Sequence, residues 1–123
     1  MIKVYIASPY SIGNKGENVR RSVAIAHELR RYGLCPFTPL LSHYANQITP
    51  ESYDTWLRED LEWLKCCDAV FRLSGESAGA DKEEILAKRL NIPLFKEIVD
   101  LLDWAEIRNE LETKKRLATA VLE

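Results

Sequence analysis

Short apolar runs alternate with amphipathic stretches along this chain, and the alternation predicts its elements. Ile2 to Ala7 is a β-branched and aromatic run ending at Ser8-Pro9, so it reads as a buried strand. The polar stretch from Ser8 to Gly16 is a loop. A helix is expected from about Glu17 to Tyr32, with Val19, Val23, Ala26 and Leu29 inward and Gly33 as its stop. Leu34 to Phe37 gives a second strand, closed by Thr38 and Pro39. Leu40 to Thr49 is loop or short helix. Thr49-Pro50-Glu51 then starts a helix that runs to Cys67, with proline at the first helical position. Ala69 to Leu73 forms a third strand, Ser74 to Ala78 a tight loop, and Gly79 to Leu90 a helix. A fourth strand covers Ile92 to Phe95. Beyond it the chain reads as helix from Glu97 to Leu102 and again from Trp104, with Leu101, Trp104, Ile107 and Leu111 as a stripe for packing or for a subunit interface.

Strands separated by helices imply a parallel sheet with helices on its faces. The expected fold is α/β, a single Rossmann-like (flavodoxin-like) domain over residues 1–123, with its core at about 2–96 and a helical tail at about 97–123. Open sheets of this kind bind ligands beyond the carboxyl ends of their strands. That rule selects the loops Ser8 to Asn18 and Ser74 to Ala80.

Two positions break the apolar pattern. On the helix before the third strand, Tyr53, Trp56, Leu57, Leu61 and Leu64 mark one face, and Asp60 falls on it. On the helix after that strand, Leu86, Ala87 and Leu90 mark the inward stripe, and Glu83 lies on it, in the expected first turn. An ionised carboxylate on an inward face is costly unless it is paired, hydrogen-bonded or open to a cleft. Two of them flanking one strand point to an acid and a nucleophile that share a pocket. Cleaving a glycosidic or N-glycosidic bond uses such a pair, one carboxylate ionised and the other protonated. The bland alternative pairs Asp60 with Arg58 or Lys65 and makes Glu83 a carboxylate favoured by the helix dipole. On spacing alone that alternative stands.

Composition narrows the partners. A net charge of −2, with both signs mixed along the chain, excludes a basic stripe for a nucleic acid polymer or a polybasic membrane patch. No apolar run reaches membrane-span length and no leader pattern precedes the first strand, so a cytoplasmic protein without a membrane partner is expected. Cys35 and the neighbours Cys66 and Cys67 are an odd set that suits reduced thiols. They form no metal-ligand spacing with His27 or His43, so neither a metal nor another cofactor is expected. The turn Ser74-Gly75-Glu76-Ser77-Ala78-Gly79-Ala80 offers small residues and a hydroxyl at a helix start, where anions are favoured, although Ser77 as a simple cap explains it too.

Three stretches together resemble the nucleoside 2-deoxyribosyltransferase family, in its small branch near the deoxynucleoside 5′-monophosphate N-glycosidases. They are the opening KVYIASP, the segment from Asp60 to Asp68 that is similar to a DL(x)₆D pattern, and Ser77 to Glu83, which matches S-x-G-x-x-x-E. The resemblance covers about residues 2 to 96. It implies Glu83 as nucleophile, Asp60 as base contact and proton source, and Tyr5 as the tyrosine that reaches the glutamate. It also implies a small nucleotide or nucleoside as ligand and a homo-oligomer as assembly. Transferases of free nucleosides carry an Asp where this chain has Ser77, and a serine suits a 5′-phosphate better. Gly79 and Ser8 join Ser77 as candidate substrate contacts, with Lys15 or Arg20 nearby and His43 at the base pocket. Glu84, directly after Glu83, departs from the small or apolar residue of many relatives. The expected activity is hydrolysis of a (2-deoxy)nucleoside 5′-monophosphate, with base exchange as a related outcome. The alternative is a catalytically silent nucleotide-binding module.

Overall fold

A computed structural model of the chain describes residues 1–122, so Glu123, the end of the expected tail, lies outside the described residues. Four strands, β1 (Lys3–Ala7), β2 (Cys35–Phe37), β3 (Ala69–Arg72) and β4 (Leu94–Phe95), form one parallel sheet in the order β2-β1-β3-β4. The helices are α1 (Lys15–Arg31), α2 (Ser42–Ile48), α3 (Tyr53–Leu64), α4 (Ala78–Arg89) and α5 (Ile98–Leu122). The α/β expectation holds, with a flavodoxin-like strand order.

Side-chain alternation divides the sheet into two unlike faces. Val4, Ile6, Ala69 and Phe71 point to one side, where Ala26 and Leu29 of α1 and Leu101 and Ala105 of α5 cover them. Tyr5, Ala7 and Val70 point to the other, against Leu64 of α3 and Ala80 and Ala87 of α4. Each fully buried leucine in these layers contributes about 1.5–3 kcal/mol of burial free energy. The chain leaves β1 for α1 on one face and β3 for α4 on the other. The two outgoing loops therefore diverge and leave a crevice at the carboxyl ends.

Local capping explains where the elements depart from expectation. Helix α1 starts at Lys15, earlier than expected, because Asn14 Oδ1 accepts from Glu17 N at 2.9 Å. It ends as expected: Gly33, at φ +79°, lets Leu34 N and Gly33 N reach Leu29 O and Arg30 O. Val23 is turned outward, and the inward place belongs to Ser22, whose hydroxyl donates to Val19 O at 2.9 Å. Pro50 does not open α3. Ser52 does, its Oγ accepting from Thr55 N at 3.1 Å, while the preceding segment forms α2. Helix α4 begins at Ala78 with Ser77 as its cap, so Glu83 sits in the second turn, not the first. Leu90 is the exposed C-cap and not part of the inward stripe. The tail is one continuous helix, and its packing stops early. Leu101 and Ala105 are buried and Trp104 lies 5.5 Å from Phe95, but Ile107 and Leu111 face outward.

Candidate active site

A cleft of about 560 Å³ opens at the carboxyl ends of β1 and β3. The loop after β1 brings Ser8 and Tyr10 to it and the start of α1 brings Lys15; the loop after β3 brings Glu76 and Ser77 and the first turn of α4 brings Gly79. His43 and Asn46 of α2, Tyr53, Trp56 and Asp60 of α3, and Glu83 of α4 complete the walls. Six of the seven candidate residues (Ser8, His43, Asp60, Ser77, Gly79 and Glu83) thus line one cleft. Tyr5, the seventh, is fully buried on the sheet face below α3 and α4. Lys15 reaches the cleft with Nζ 5.5 Å above the Tyr10 ring, whereas Arg20 is a surface residue 3.6 Å from Glu17.

The carboxylates are where the helical spacing puts them. Glu83 shares a stripe with Ala80 and Ala87 and is only 7% exposed. Burial pushes its carboxyl up to about 8, a rise that the Tyr5 hydroxyl opposes, the Asp60 charge reinforces and the Arg72 guanidinium opposes. Burial, with the Glu59 charge second, pushes Asp60 up to about 7. Lys65 is committed to Glu62 at 2.8 Å, and no cation figures among the causes of Asp60's shift, so pairing with Lys65 or Arg58 does not explain its place. With Asp60 at about 7 and Glu83 at about 8, Asp60 loses its proton first as pH rises, and its charge then helps to hold the proton on Glu83. Burial raises the Tyr5 hydroxyl well above its ordinary range, with Glu83 and Asp60 adding to the effect. That hydroxyl is buried without a hydrogen-bond partner among the described residues, yet it lies near enough to Glu83 for each to bias the other's titration.

Arg72 is the residue that sequence reasoning missed. Its guanidinium donates to the carbonyls of Leu73 and Gly75 at 3.0 and 2.9 Å, and so grips the loop that carries Ser77. It pairs with Glu84 at 3.0 Å and Asp81 at 3.3 Å. The acidic neighbour of Glu83 is therefore turned to Arg72 and does not figure among the causes of Glu83's shift. The available signal was an arginine at the end of an otherwise apolar strand, with two acids one helix turn apart downstream. Arg21 holds the same loop from α1, donating to Ser74 O at 2.7 Å.

Opposite the carboxylates, the cleft wall is fixed by side-chain bonds. His43 Nδ1 and the Tyr10 hydroxyl share a hydrogen bond, and Gln47 lies 3.1 Å from His43 Nε2. Asn46 Oδ1 accepts from Trp56 Nε1 at 2.7 Å and from Glu51 N at 2.8 Å. Trp56 thus belongs to the cleft, while Trp63 stacks on Phe37 at 5.6 Å away from it. No group of His, Cys, Asp and Glu among the described residues has the arrangement of a metal site, and no described helix is long and apolar enough to cross a membrane.

A family described as a domain of unknown function (DUF7768) matches residues 2–97. The chain belongs to that family. The DUF7768 match takes in every residue of the cleft and leaves out most of α5. No curated protein matches the chain. Among solved structures it is similar to a 2-deoxyribosyltransferase from the psychrotolerant bacterium Bacillus psychrosaccharolyticus, described as a biocatalyst for the synthesis of antiviral and antitumoral nucleosides. The two share 27% identity and a TM-score of 0.56, over 81% of this chain and 78% of that one. This agrees with the family resemblance at the level of fold.

Proposed function

We propose that this protein cleaves the N-glycosidic bond of a (2-deoxy)nucleoside 5′-monophosphate. The observation that carries the reading is the pair of buried Glu83 and half-buried Asp60, two carboxyls on different helices that line one cleft and are both raised toward neutral pH by burial. The shifts, to about 8 for Glu83 and about 7 for Asp60, leave the proton on Glu83 before substrate binds. The productive form is the reverse tautomer, with the charge on Glu83, toward which Tyr5 and Arg72 act, and the proton on Asp60. The Glu83 carboxylate attacks C1′ and forms a glycosyl ester as the C1′–N bond breaks. The bond's electron pair leaves on the base nitrogen, and Asp60 supplies the proton that neutralises the base. Water then attacks C1′, gives up a proton to Asp60 and releases Glu83. A second base in place of water makes the same site a transferase, and similarity to a 2-deoxyribosyltransferase favours that related outcome.

Ser77 supports the monophosphate over the free nucleoside. Its Oγ accepts from Ala80 N at 3.0 Å, so its own hydrogen remains free to donate to a phosphate oxygen. Acid quenching during turnover, followed by intact-protein and peptide mass spectrometry, tests the mechanism. The expected result is an adduct of the sugar phosphate on the peptide that contains Glu83. Turnover that continues undiminished in a Glu83→Ala protein contradicts it.

A further inference from the structure

Tyr53 is half-exposed on the first turn of α3, and its hydroxyl comes close to α4 at Gly79. A Cβ on Gly79 would stand 3.2 Å from Tyr53 Oη and 3.9 Å from Ser77 Oγ. Glycine at 79 therefore lets the Tyr53 hydroxyl stand directly against α4 close to Ser77, so that hydroxyls carried by α3 and by the cap of α4 are neighbours on the cleft wall. Lys82, one turn further along α4, holds its ammonium 5.5 Å from the centre of the Tyr53 ring. All four residues line the cleft. Glu51 and Glu76 line it too, so an anion there needs a cation set against them, and Lys82 is the one seated beside Tyr53.

We propose that Tyr53 and Lys82 form a second arm of the phosphate site, beside Ser77, and set the preference for a 5′-monophosphate over a nucleoside. The inference rests on the function proposed above and deepens it. Two neighbouring O–H donors and an ammonium on one cleft wall match a phosphate monoester, which presents several strong acceptor oxygens and negative charge. A sugar 5′-hydroxyl uses one donor and gains nothing from the ammonium. Tyr53 and Asp60 sit seven residues apart on one helix, two turns or about 10 Å along its axis. A phosphate held by Tyr53 thereby also fixes α3, and with it the proton donor, relative to Glu83. Binding energy from the non-reacting end of the substrate is then used to orient the reacting end.

Calorimetric titration with 2′-deoxynucleosides and their 5′-monophosphates tests this, run in a Glu83→Gln background so that ligand is not consumed. The parent is expected to bind a monophosphate at least about tenfold more tightly than its nucleoside. Tyr53→Phe keeps the ring and removes only the hydroxyl. It and Lys82→Met are each expected to lose about threefold or more of that preference, with nucleoside affinity unchanged. A parent without the preference overturns the arm together with the monophosphate reading. A preference kept in full by Tyr53→Phe overturns the arm alone.

Discussion

The two faces of the sheet are built from the same strands and do different things. The face under α1 and α5 is apolar but for Ser22, whose hydroxyl bonds within α1, and Val4, Ile6, Phe71, Leu29 and Leu101 close it. The face under α3 and α4 gives up core positions to Tyr5, Arg72 and Glu83, with Asp60 at its edge. An apolar side chain at any of these positions would contribute burial free energy, whereas a carboxyl there must be desolvated. One face stabilises the fold and the other holds strained ionisation states. The difference is what singles out the α3–α4 side as the candidate site, without reference to any relative.

Breaking the polar face should affect chemistry far more than folding. Glu83→Ala is expected to reduce base release by about 10³-fold or more while the far-ultraviolet circular dichroism is retained. Asp60→Asn keeps the shape and removes the titrating proton. It should cost about 10²–10⁴-fold, the usual span for general acid catalysis, measured as kcat on the same substrate.

Breaking the apolar face should do the reverse. Leu29→Ala is expected to lower unfolding free energy by about 2–5 kcal/mol in urea titrations, with kcat per folded molecule unchanged. A large kcat effect at Leu29, or a large stability loss at Asp60, would erase the distinction between the faces.

The pH dependence of stability sharpens the contrast, and its sign is fixed by the shifts. Both carboxyls have folded values raised above their unfolded ones, to about 8 for Glu83 and about 7 for Asp60. The native state therefore binds more protons than the unfolded state between about pH 4 and pH 8, and unfolding free energy falls as pH rises through that window. Glu83→Gln removes the larger contribution. It should flatten the slope and stabilise the protein at pH 8.5 by roughly 2–4 kcal/mol. A slope unchanged by Glu83→Gln would show that the buried carboxyl does not titrate as described. The smallest effect is expected on the outward stripe of α5, where Leu111→Ser should stay within about 0.5 kcal/mol of the parent protein.

Much of this was legible in the sequence, because the informative residues obey simple periodicities. Four strands and their parallel arrangement follow from alternation of apolar runs with helical stretches. Asp60 and Glu83 stand out because three- and four-residue spacing puts them on apolar stripes. What escaped depends on contacts that periodicity does not encode. Ser52, as cap, sets the true start of α3, whereas Ser77, which the sequence already offered as a simple cap, starts α4 at Ala78 and so puts Glu83 in the second turn. Ser22 displaces Val23 from the core by bonding its hydroxyl to the helix itself. Arg72 became meaningful only when folding brought Asp81, Glu84 and the Gly75 carbonyl around it. The Tyr53 hydroxyl needed the missing Cβ at Gly79, on a different helix, to show where it sits. Ile107 and Leu111 continue a stripe expected to serve packing or a subunit interface; within the chain they face outward, because the packed part of α5 ends at Ala105.

The most direct measurement is chromatographic detection of free base released from a panel of nucleosides and their 5′-monophosphates, deoxy and ribo, by the wild-type protein and Glu83→Ala. Release from monophosphates by the wild type, lost in Glu83→Ala, is the predicted result. Silence across the panel from folded wild-type protein would contradict the account and leave a nucleotide-binding module in its place.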